Sequence, residues 1–309
     1  MKVTNKHNAP QSLVRFAEME HHTSGGADIT VTGLMDSPQI RSLKGRHGEL
    51  METDVYESPW ALMGTALHYV VEAAAKSQSD CGGRTITEER ILTKIDVDGK
   101  TFTLSGGIDI QQVEVSDQGD PVVIIGDYKL TNCFAIKDPS TLKKWSQQLN
   151  LYRYLVEREK GWTVVGLHIY ALLRDWVRAK KSITSYPAQP GLTVDFDLWT
   201  DEDLQRYVDT RMFEHFGKPE RQFICTDEER WHRGESWKVK KVGGKRATHV
   251  TKTESEANEA LERLDPRGDG KYSVEHHPGQ FTRCENDYCG VARWCEQWNG
   301  DLVDLDIPF

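Results

Sequence analysis

Apolar residues recur along the chain with spacings that predict one helix followed by three strands. Over residues 59–77 the apolar positions have helical spacing, and Ser58 followed by a proline is typical of a helix start. Two runs with strand character, 85–97 and 100–115, are separated by an Asp-Gly dipeptide typical of a β-hairpin turn. A third run, 121–130, begins almost wholly apolar and predicts a buried strand.

The pattern continues with a second helix and a fourth strand. Asp138 and Pro139 form a start signal for a helix over residues 140–160, and Gly161 is typical of the position just beyond a helix end. The next apolar run, 163–173, predicts another strand. The order of helix, three strands, helix and strand predicts an α/β protein with a mixed central sheet flanked by helices.

The sequences on either side of this core are less regular. Residues 1–57 are mixed and polar, and we interpret them as an N-terminal region that packs on a core formed by residues 58–173. Residues 174–309 are interpreted as a C-terminal elaboration. It contains a helix over about 202–216 and a basic hairpin over 237–250, whose strand-like arms flank two glycines.

Composition and charge exclude several classes of protein. The 309 residues are 38% hydrophobic and 28% charged, which is typical of a globular protein and not of a disordered or fibrous one. No apolar stretch has the length of a membrane span, and the N-terminal residues lack the apolar core of a signal peptide, so we expect a cytoplasmic protein. The net charge of -9 argues against an indiscriminate nucleic-acid binder.

Asp127 and Lys129 are the most informative residues of the predicted core. Side chains two residues apart in a strand point to the same face, so a carboxylate and an ammonium group leave the end of a buried strand side by side. Burying either group without a partner is costly, so the pair is expected to face a metal ion or a phosphate. An ion pair at a sheet edge is the alternative interpretation.

Further polar residues lie at matching points of the predicted core. Asp109 is on the second strand, and Gly106 and Gly107 before it indicate a bulge or the close approach of a ligand. His68 lies on the first helix. Two carboxylates from neighbouring strands and an imidazole would form an oxygen-rich site suited to Mg²⁺ or Mn²⁺.

Gln148 and Tyr152 lie one turn apart on the second helix and therefore share a face. From that face they could orient Lys129 or contact a nucleic-acid backbone. Lys129 itself would stabilise the negative charge of a phosphodiester as its bond breaks, or help to position and deprotonate the attacking water.

Four short motifs occur in the order found in one nuclease superfamily. They are Gly64-Thr-Ala-Leu-His68, Gly106-Gly-Ile-Asp109, Asp127-Tyr-Lys129 and Gln148-Leu-Asn-Leu-Tyr152. On these motifs the chain resembles the PD-(D/E)XK nuclease superfamily, and in particular its RecB-like branch, which includes CRISPR-associated and phage recombination exonucleases. The resemblance covers roughly residues 59–173 and implies a restriction-endonuclease-like αβββαβ core.

The resemblance also implies a role for each motif residue. The implied ligands of Mg²⁺ or Mn²⁺ are His68, Asp109, Asp127 and the backbone carbonyl of Tyr128. The implied catalytic residues are Asp109, Asp127 and Lys129. Gln148 and Tyr152 would support the site and contact DNA. Glu89, on the first strand, is a lesser candidate because Glu88 beside it makes a solvated strand end an equal interpretation.

The function implied by the resemblance is metal-dependent hydrolysis of DNA. The leading interpretation is an exonuclease that acts in recombination, repair or phage DNA metabolism. The alternatives are a structure-specific or nicking endonuclease and a non-catalytic DNA-binding module of a larger complex. The chain has no GxxxxGK[ST] phosphate-binding loop, so a helicase motor would be a partner protein. We expect DNA as the partner, no membrane, and the cytoplasm of a bacterial or phage-infected cell.

Basic residues outside the predicted core are candidates for DNA binding. Residues 229–252 contain eight Lys and Arg against two acidic residues, so an acidic chain could still bind phosphate locally. The candidates in this hairpin and after the last core strand are Arg174, Arg178, Lys238, Lys240, Lys241, Lys245 and Arg246. A solvated, charged surface hairpin is the alternative interpretation.

Three cysteines near the C-terminus, Cys284, Cys289 and Cys295, suggest a second metal site. Some RecB-like nucleases bind an iron-sulfur cluster with one cysteine before the core and three near the end. This chain differs, because no cysteine precedes Cys81 and the last three lack a Cys-x-x-Cys pair. Reduced cysteines packed beside aromatic residues are the alternative. Candidates for the fourth ligand of an iron-sulfur or zinc site are Cys225, His276 and His277.

Overall fold

The structure is a computed structural model that describes residues 2–19, 23–57, 59–76, 84–219, 223–286 and 288–298. Contacts divide the chain into two units. The first consists of Met1–Arg41 and Gly48–Phe223, and the second of Ser42–His47 and Ile224–Phe309. The predicted helix-start residue Ser58 lies outside the described residues, as does Cys81.

The predicted helix, three strands, helix and strand are all present, with further elements around them. In chain order as far as Met212, the helices and strands are β1 (Lys2–Thr4), α1 (Gln11–Glu18), β2 (Ile29–Thr30), α2 (Val31–Met35), α3 (Pro38–His47), β3 (Glu52–Asp54), α4 (Pro59–Lys76), β4 (Arg84–Val97), β5 (Lys100–Val115), β6 (Pro121–Thr131), α5 (Pro139–Lys160), β7 (Thr163–Leu173), β8 (Gly191–Phe196) and α6 (Asp201–Met212).

These strands form a mixed central sheet, which confirms the predicted α/β class. Strand β5 is antiparallel to β4 on one edge, and on its other edge it pairs in parallel with β2 and antiparallel with β6. Strand β6 is parallel to β7, which is antiparallel to β8. The pairing of β4 with β5 runs without a register shift through Gly106 and Gly107, so these glycines do not form the bulge that was one of the two expectations for them.

Helix α5 packs on the sheet and contacts β4, β5, β6 and β7. It begins where the sequence predicts, because the Asp138 carboxylate accepts the Thr141 N–H at 2.9 Å, and it ends at Gly161, which has φ +63°. Leu149 and Leu155 of this helix are 0% exposed. Each such leucine stabilises the fold by about 1.5–3 kcal/mol through burial.

The N-terminal residues contribute to the same core, although the sequence shows no clear period there. Ile29 of β2 pairs with Leu104 of β5, and Leu34 of α2 is fully buried in the core cluster. The segment before β2 is also held beside the central sheet, because the Ser24 carbonyl oxygen accepts a hydrogen bond from Ser105 Oγ of β5 at 2.7 Å.

The second unit contains the predicted basic hairpin. Its elements are β9 (His232–Arg233), β10 (Ser236–Lys241), β11 (Ala247–Thr251), α7 (Glu254–Leu264), β12 (Tyr272–His277), β13 (Gln280–Phe281) and α8 (Thr282–Glu285). Strand β10 is the centre of an antiparallel sheet with β11 and β12, and Val239 packs with Ala257 and Ala260 of α7. Across the described residues of both units, no helix is both long enough and apolar enough to cross a membrane.

Candidate active site

Asp109 and Asp127 lie where the pairing of β5 and β6 ends. The last pair of that ladder is Ile110 with Gly126, so the next residue on each strand is one of the two aspartates. Beyond this point the Tyr128 N–H donates to Asp109 Oδ2 at 2.8 Å. Both aspartates line one cavity. Among the described residues, the possible ligand atoms that lie within 4.8 Å of one another include Asp109 and not Asp127.

Asp127 is held between a lysine and a glutamine. Lys129 Nζ lies 2.6 Å from Asp127 Oδ2, which confirms that the two side chains share a face of β6. Asp127 is 1% exposed, and among the described residues Lys129 is the only partner of Oδ2. The buried Oδ2 therefore has a lone pair left for a cation.

Gln148 orients Asp127. The sequence had suggested Lys129 as the residue that Gln148 could orient. Gln148 Nε2 donates to Asp127 Oδ1 at 3.1 Å and to the Tyr152 hydroxyl at 2.7 Å. A primary amide has two N–H groups, so both bonds form together. The Tyr152 ring also packs against Gly106, where an added Cβ would lie 3.1 Å from the ring. Gly106 is thus required by the approach of α5 to the sheet.

His68 faces the two strands from α4. Its Nδ1 atom lies 3.4 Å from Asp109 Oδ2 and 3.3 Å from Glu88 Oε1. One possible ligand atom from each of these three residues lies within 4.8 Å of the others. Carboxylate oxygens with one imidazole nitrogen fit a hard divalent cation such as Mg²⁺ or Mn²⁺.

Glu88 is the site residue that the sequence interpretation missed. It has φ +50°, in the left-handed region that a glutamate rarely adopts, and its side chain lines the cavity. Glu89 instead accepts a hydrogen bond from Gln111 at 2.7 Å and pairs with Lys160. Two adjacent glutamates on a strand point to opposite faces, so only the fold decides which one reaches the site.

The electrostatics of the site favour bound cations. Burial, followed by the charge of Asp127, raises the pKa of Asp109 to about 7. The hydrogen bond with Glu88 raises the pKa of His68 against the opposing effect of burial, and Asp109 adds to the rise. Burial lowers the pKa of Lys129, but the charge of Asp127 and its hydrogen bond outweigh burial and raise it. Lys129 therefore remains a cation beside the carboxylates.

These residues line a cavity of about 990 Å³ in the first unit. Helix α4 supplies Gly64, Thr65 and Tyr69 to the lining in addition to His68. The N-terminal segment supplies side chains between residues 23 and 32, which the sequence interpretation did not assign to the site. Arg90 of β4 also lines the cavity.

The candidate DNA-binding residues lie in both units. In the first, the Arg174 guanidinium carbon lies 3.8 Å from the centroid of the Trp60 ring, and Arg178 is in a short 3₁₀ turn. In the second, Lys240 pairs with Glu275, and Lys238 Nζ lies 3.4 Å from His277 Nδ1. The remaining hairpin candidates are exposed, and they are Lys241, Lys245 and Arg246. Their role in DNA binding stays a prediction.

The four cysteines of the second unit do not form a compact ligand cluster. Among the described residues, the group of three or more possible ligand atoms within 4.8 Å of one another consists of His68, Glu88 and Asp109. Burial raises the pKa of Cys289, and the charges of Cys284 and Cys295 act in the same direction, so these three lie within electrostatic range. Gln297 holds Cys225 by a hydrogen bond from the Cys225 N–H at 2.9 Å and one to its carbonyl at 2.8 Å. These bonds hold the Cys225 backbone, and Cys225 stays a candidate for a fourth ligand.

The two histidines considered for that role are engaged elsewhere. His276 Nε2 lies 3.0 Å from Glu235, and His277 Nε2 lies 2.8 Å from Glu275. Iron-sulfur or zinc binding by the cysteines stays a prediction.

No protein-family model matches the chain, and no curated protein sequence matches it. Among solved structures, the chain is similar to one described as the crystal structure of SSO0001, with 18% sequence identity and a TM-score of 0.44. The match covers 68% of this chain and 84% of that one. A likeness of this size identifies neither a family nor a function.

Proposed function

We propose that the chain is a metal-dependent deoxyribonuclease of the RecB-like PD-(D/E)XK type. The observation that carries the proposal is the meeting of His68, Asp109, Asp127 and Lys129 in one cavity. Two buried aspartates beside the partly exposed Lys129 are costly unless they face charged ligands, and a divalent cation with a phosphodiester satisfies all three groups. The order of α4, β4, β5, β6, α5 and β7 supports a restriction-endonuclease-like core.

The donor set of the site fits a divalent metal ion. Its ligands would be His68, Glu88, Asp109, Asp127 and the backbone carbonyl of Tyr128. When bound, Mg²⁺ or Mn²⁺ would supply Lewis-acid polarisation of the phosphodiester.

The residues of the chain would perform the remaining tasks. Lys129, held by Asp127 at 2.6 Å, would place its ammonium group against the charge that develops on the phosphate in the transition state. Gln148 would keep Asp127 in position, and the Tyr128 N–H would do the same for Asp109. Asp109, with a pKa of about 7, must be ionised to bind a cation, so activity is expected to rise with pH through the neutral range.

A cleavage assay tests this proposal. Purified protein is incubated with end-labelled linear DNA and with covalently closed circular DNA, in Mg²⁺, Mn²⁺ or EDTA. The variant Asp127→Asn is compared with a control, Asp117→Asn. The control changes an exposed aspartate in the turn between β5 and β6. We expect cleavage by the wild type and by Asp117→Asn, and its loss in EDTA and in Asp127→Asn.

The substrate arms decide between the modes of cleavage. Degradation of linear DNA alone supports the exonuclease, whereas cleavage of closed circles favours an endonuclease. DNA binding without cleavage under every metal condition would refute hydrolysis and favour a non-catalytic DNA-binding module.

A further inference from the structure

Arg90 lines the same cavity as the candidate catalytic residues, yet it has no part in the chemistry described above. Its Nη1 atom donates to Ser105 Oγ at 3.2 Å, and Ser105 Oγ donates to the Ser24 carbonyl oxygen at 2.7 Å. The single Ser105 hydroxyl proton is used in the second bond, so the first bond must be donated by Arg90. The guanidinium group is therefore anchored at Nη1 by the fully buried Ser105.

Most of the Arg90 N–H groups have no acceptor among the residues that the structure describes. Within the described part of the chain, no carboxylate forms an ion pair with Arg90, and Ser105 is its hydrogen-bond acceptor. A guanidinium group keeps its charge at any pH at which a protein is folded, and it presents a planar fork of N–H groups. A partly buried cation of this kind, beside a neutral hydroxyl and open to a cavity, favours an anionic ligand with several oxygens.

Glycines keep the space around this group free. A Cβ atom at Gly25 would lie 2.5 Å from Arg90 Cδ, and one at Gly107 would lie 3.4 Å from Arg90 Nη2. Gly25 has φ +66°, which suits glycine, and it lets the N-terminal segment cross the arginine stem closely. Thr32, whose hydroxyl lies 3.1 Å from Thr30 Oγ1, adds a further hydroxyl to the cavity lining.

The arginine shares its cavity with the side chains that hold Asp127, because Arg90, Gln148 and Tyr152 all line it. Tyr152 accepts a hydrogen bond from Gln148, which holds Asp127. Arg90 therefore faces the same space as the proposed cleavage site, and among the described residues it forms no ion pair with the carboxylates there.

We infer that Arg90 binds a phosphate of the substrate strand that neighbours the phosphodiester held at Asp109 and Asp127. The inference rests on the proposed function, since that function brings a nucleic-acid strand into the cavity. Each nucleotide carries a phosphate. A strand with one phosphodiester at the aspartates therefore presents its next phosphate to another part of the cavity lining, where Arg90 lies. That phosphate is a terminal monoester or an internal diester, and both present the oxygens that the arginine fork recognises.

Equilibrium binding in EDTA tests the inference without turnover. Fluorescence anisotropy is measured with single-stranded oligonucleotides that end in a 5′-phosphate, a 3′-phosphate or hydroxyls only. The variants are Arg90→Gln, Arg90→Lys and the control Arg84→Gln, which removes an exposed arginine from the same strand. We expect Arg90→Gln to weaken binding about 10- to 100-fold. We also expect it to reduce the slope of log affinity against log salt by about 0.7.

Arg90→Lys keeps the aliphatic part of the side chain beneath Gly25 and the positive charge, but it lacks the planar set of guanidinium N–H groups. An intermediate affinity with an unchanged salt slope is expected for it, and binding by Arg84→Gln should equal that of the wild type. A loss confined to one phosphorylated end identifies a terminal monoester, and an equal loss with all three oligonucleotides identifies an internal diester. Wild-type affinity in both folded Arg90 variants, or in Arg90→Lys if only that variant folds, would overturn the inference.

The failure of this inference and the failure of the proposed function give different results. Cleavage of DNA together with unchanged binding by the Arg90 variants refutes the phosphate site and leaves the nuclease. Weakened binding by those variants in a protein that never cleaves DNA refutes hydrolysis and leaves the phosphate site. A protein that neither binds nor cleaves DNA refutes both.

Discussion

Replacing Asp109 by asparagine should stabilise the metal-free protein at alkaline pH while it abolishes metal binding. Asp109 is 8% exposed, and burial and the Asp127 charge raise its pKa to about 7. The ionised carboxylate is thus unfavourable in the folded protein without a cation. Asparagine has the same shape and can still accept the Tyr128 N–H through its side-chain oxygen.

The direction and size of the effect follow from proton linkage. In the unfolded chain an aspartate has a pKa of about 3.9, so between that pH and about 7 the folded state binds more protons and stability falls as the pH rises. At a pH above both pKa values, a pKa difference of this size lowers the free energy of unfolding by about 4 kcal/mol. We therefore expect Asp109→Asn to raise the free energy of unfolding by about 2–4 kcal/mol at pH 8. Near pH 4 it should have little effect, because Asp109 is then protonated in the folded wild type.

The measurement must report on the first unit alone. Hydrogen exchange of β5 and β6 peptides as a function of urea gives the opening free energy of the strands that carry the site. The experiment is run in EDTA at acidic and alkaline pH with wild type, Asp109→Asn and the exposed control Asp117→Asn, and is repeated in Mg²⁺. Mg²⁺ should stabilise the wild type at alkaline pH and leave Asp109→Asn unchanged, because the cation replaces the proton on the carboxylate.

Two results would refute this reasoning. If Asp109→Asn and the wild type show the same pH dependence in EDTA, the buried carboxylate carries no electrostatic penalty. If Mg²⁺ stabilises Asp109→Asn as much as the wild type, the cation binds somewhere other than at Asp109.

Other substitutions test separate parts of the structure. Lys129→Met keeps the length of the stem but removes the ammonium group, and we expect kcat to fall at least about 100-fold with DNA affinity in EDTA almost unchanged. Gly126→Ala places a Cβ 2.4 Å from the Tyr170 ring, so urea unfolding should show a destabilisation of about 1–3 kcal/mol. Gly45→Ala, in a helix with nothing within 4 Å of the new Cβ, should be neutral or stabilising by up to about 1 kcal/mol. If the cysteines of the second unit bind iron and sulfur, anaerobically purified protein shows a visible absorption band that Cys289→Ser abolishes and Cys133→Ser does not. A colourless protein without bound zinc would refute the metal site there.

The regular elements of the core could be predicted because each has a strong local signal. The Asp138 cap and Gly161 delimit α5, and both act there in the structure as their chemistry requires. The shared face of Asp127 and Lys129 follows from the two-residue period of a strand. The short N-terminal elements β2 and α2 are only two and five residues long and show no such period, and they depend on pairing and packing with β5.

The candidate site was predictable only in part, because periodicity describes one element at a time. It places Gln148 and Tyr152 on one face of α5, but it does not say that Gln148 meets Asp127 and not Lys129. It also does not choose between Glu88 and Glu89, since the positive φ of Glu88 arises from the folded strand.

The sequence by itself determined the order of helices and strands from α4 to β7 and the pair of side chains at the end of β6. The tertiary structure alone decided that the face of α4 with His68 meets Glu88 and Asp109, and that Ser105 aims Arg90 into the same cavity. The physical reason is that local spacing fixes which residues share a face, whereas the burial of polar groups among distant elements decides which faces meet.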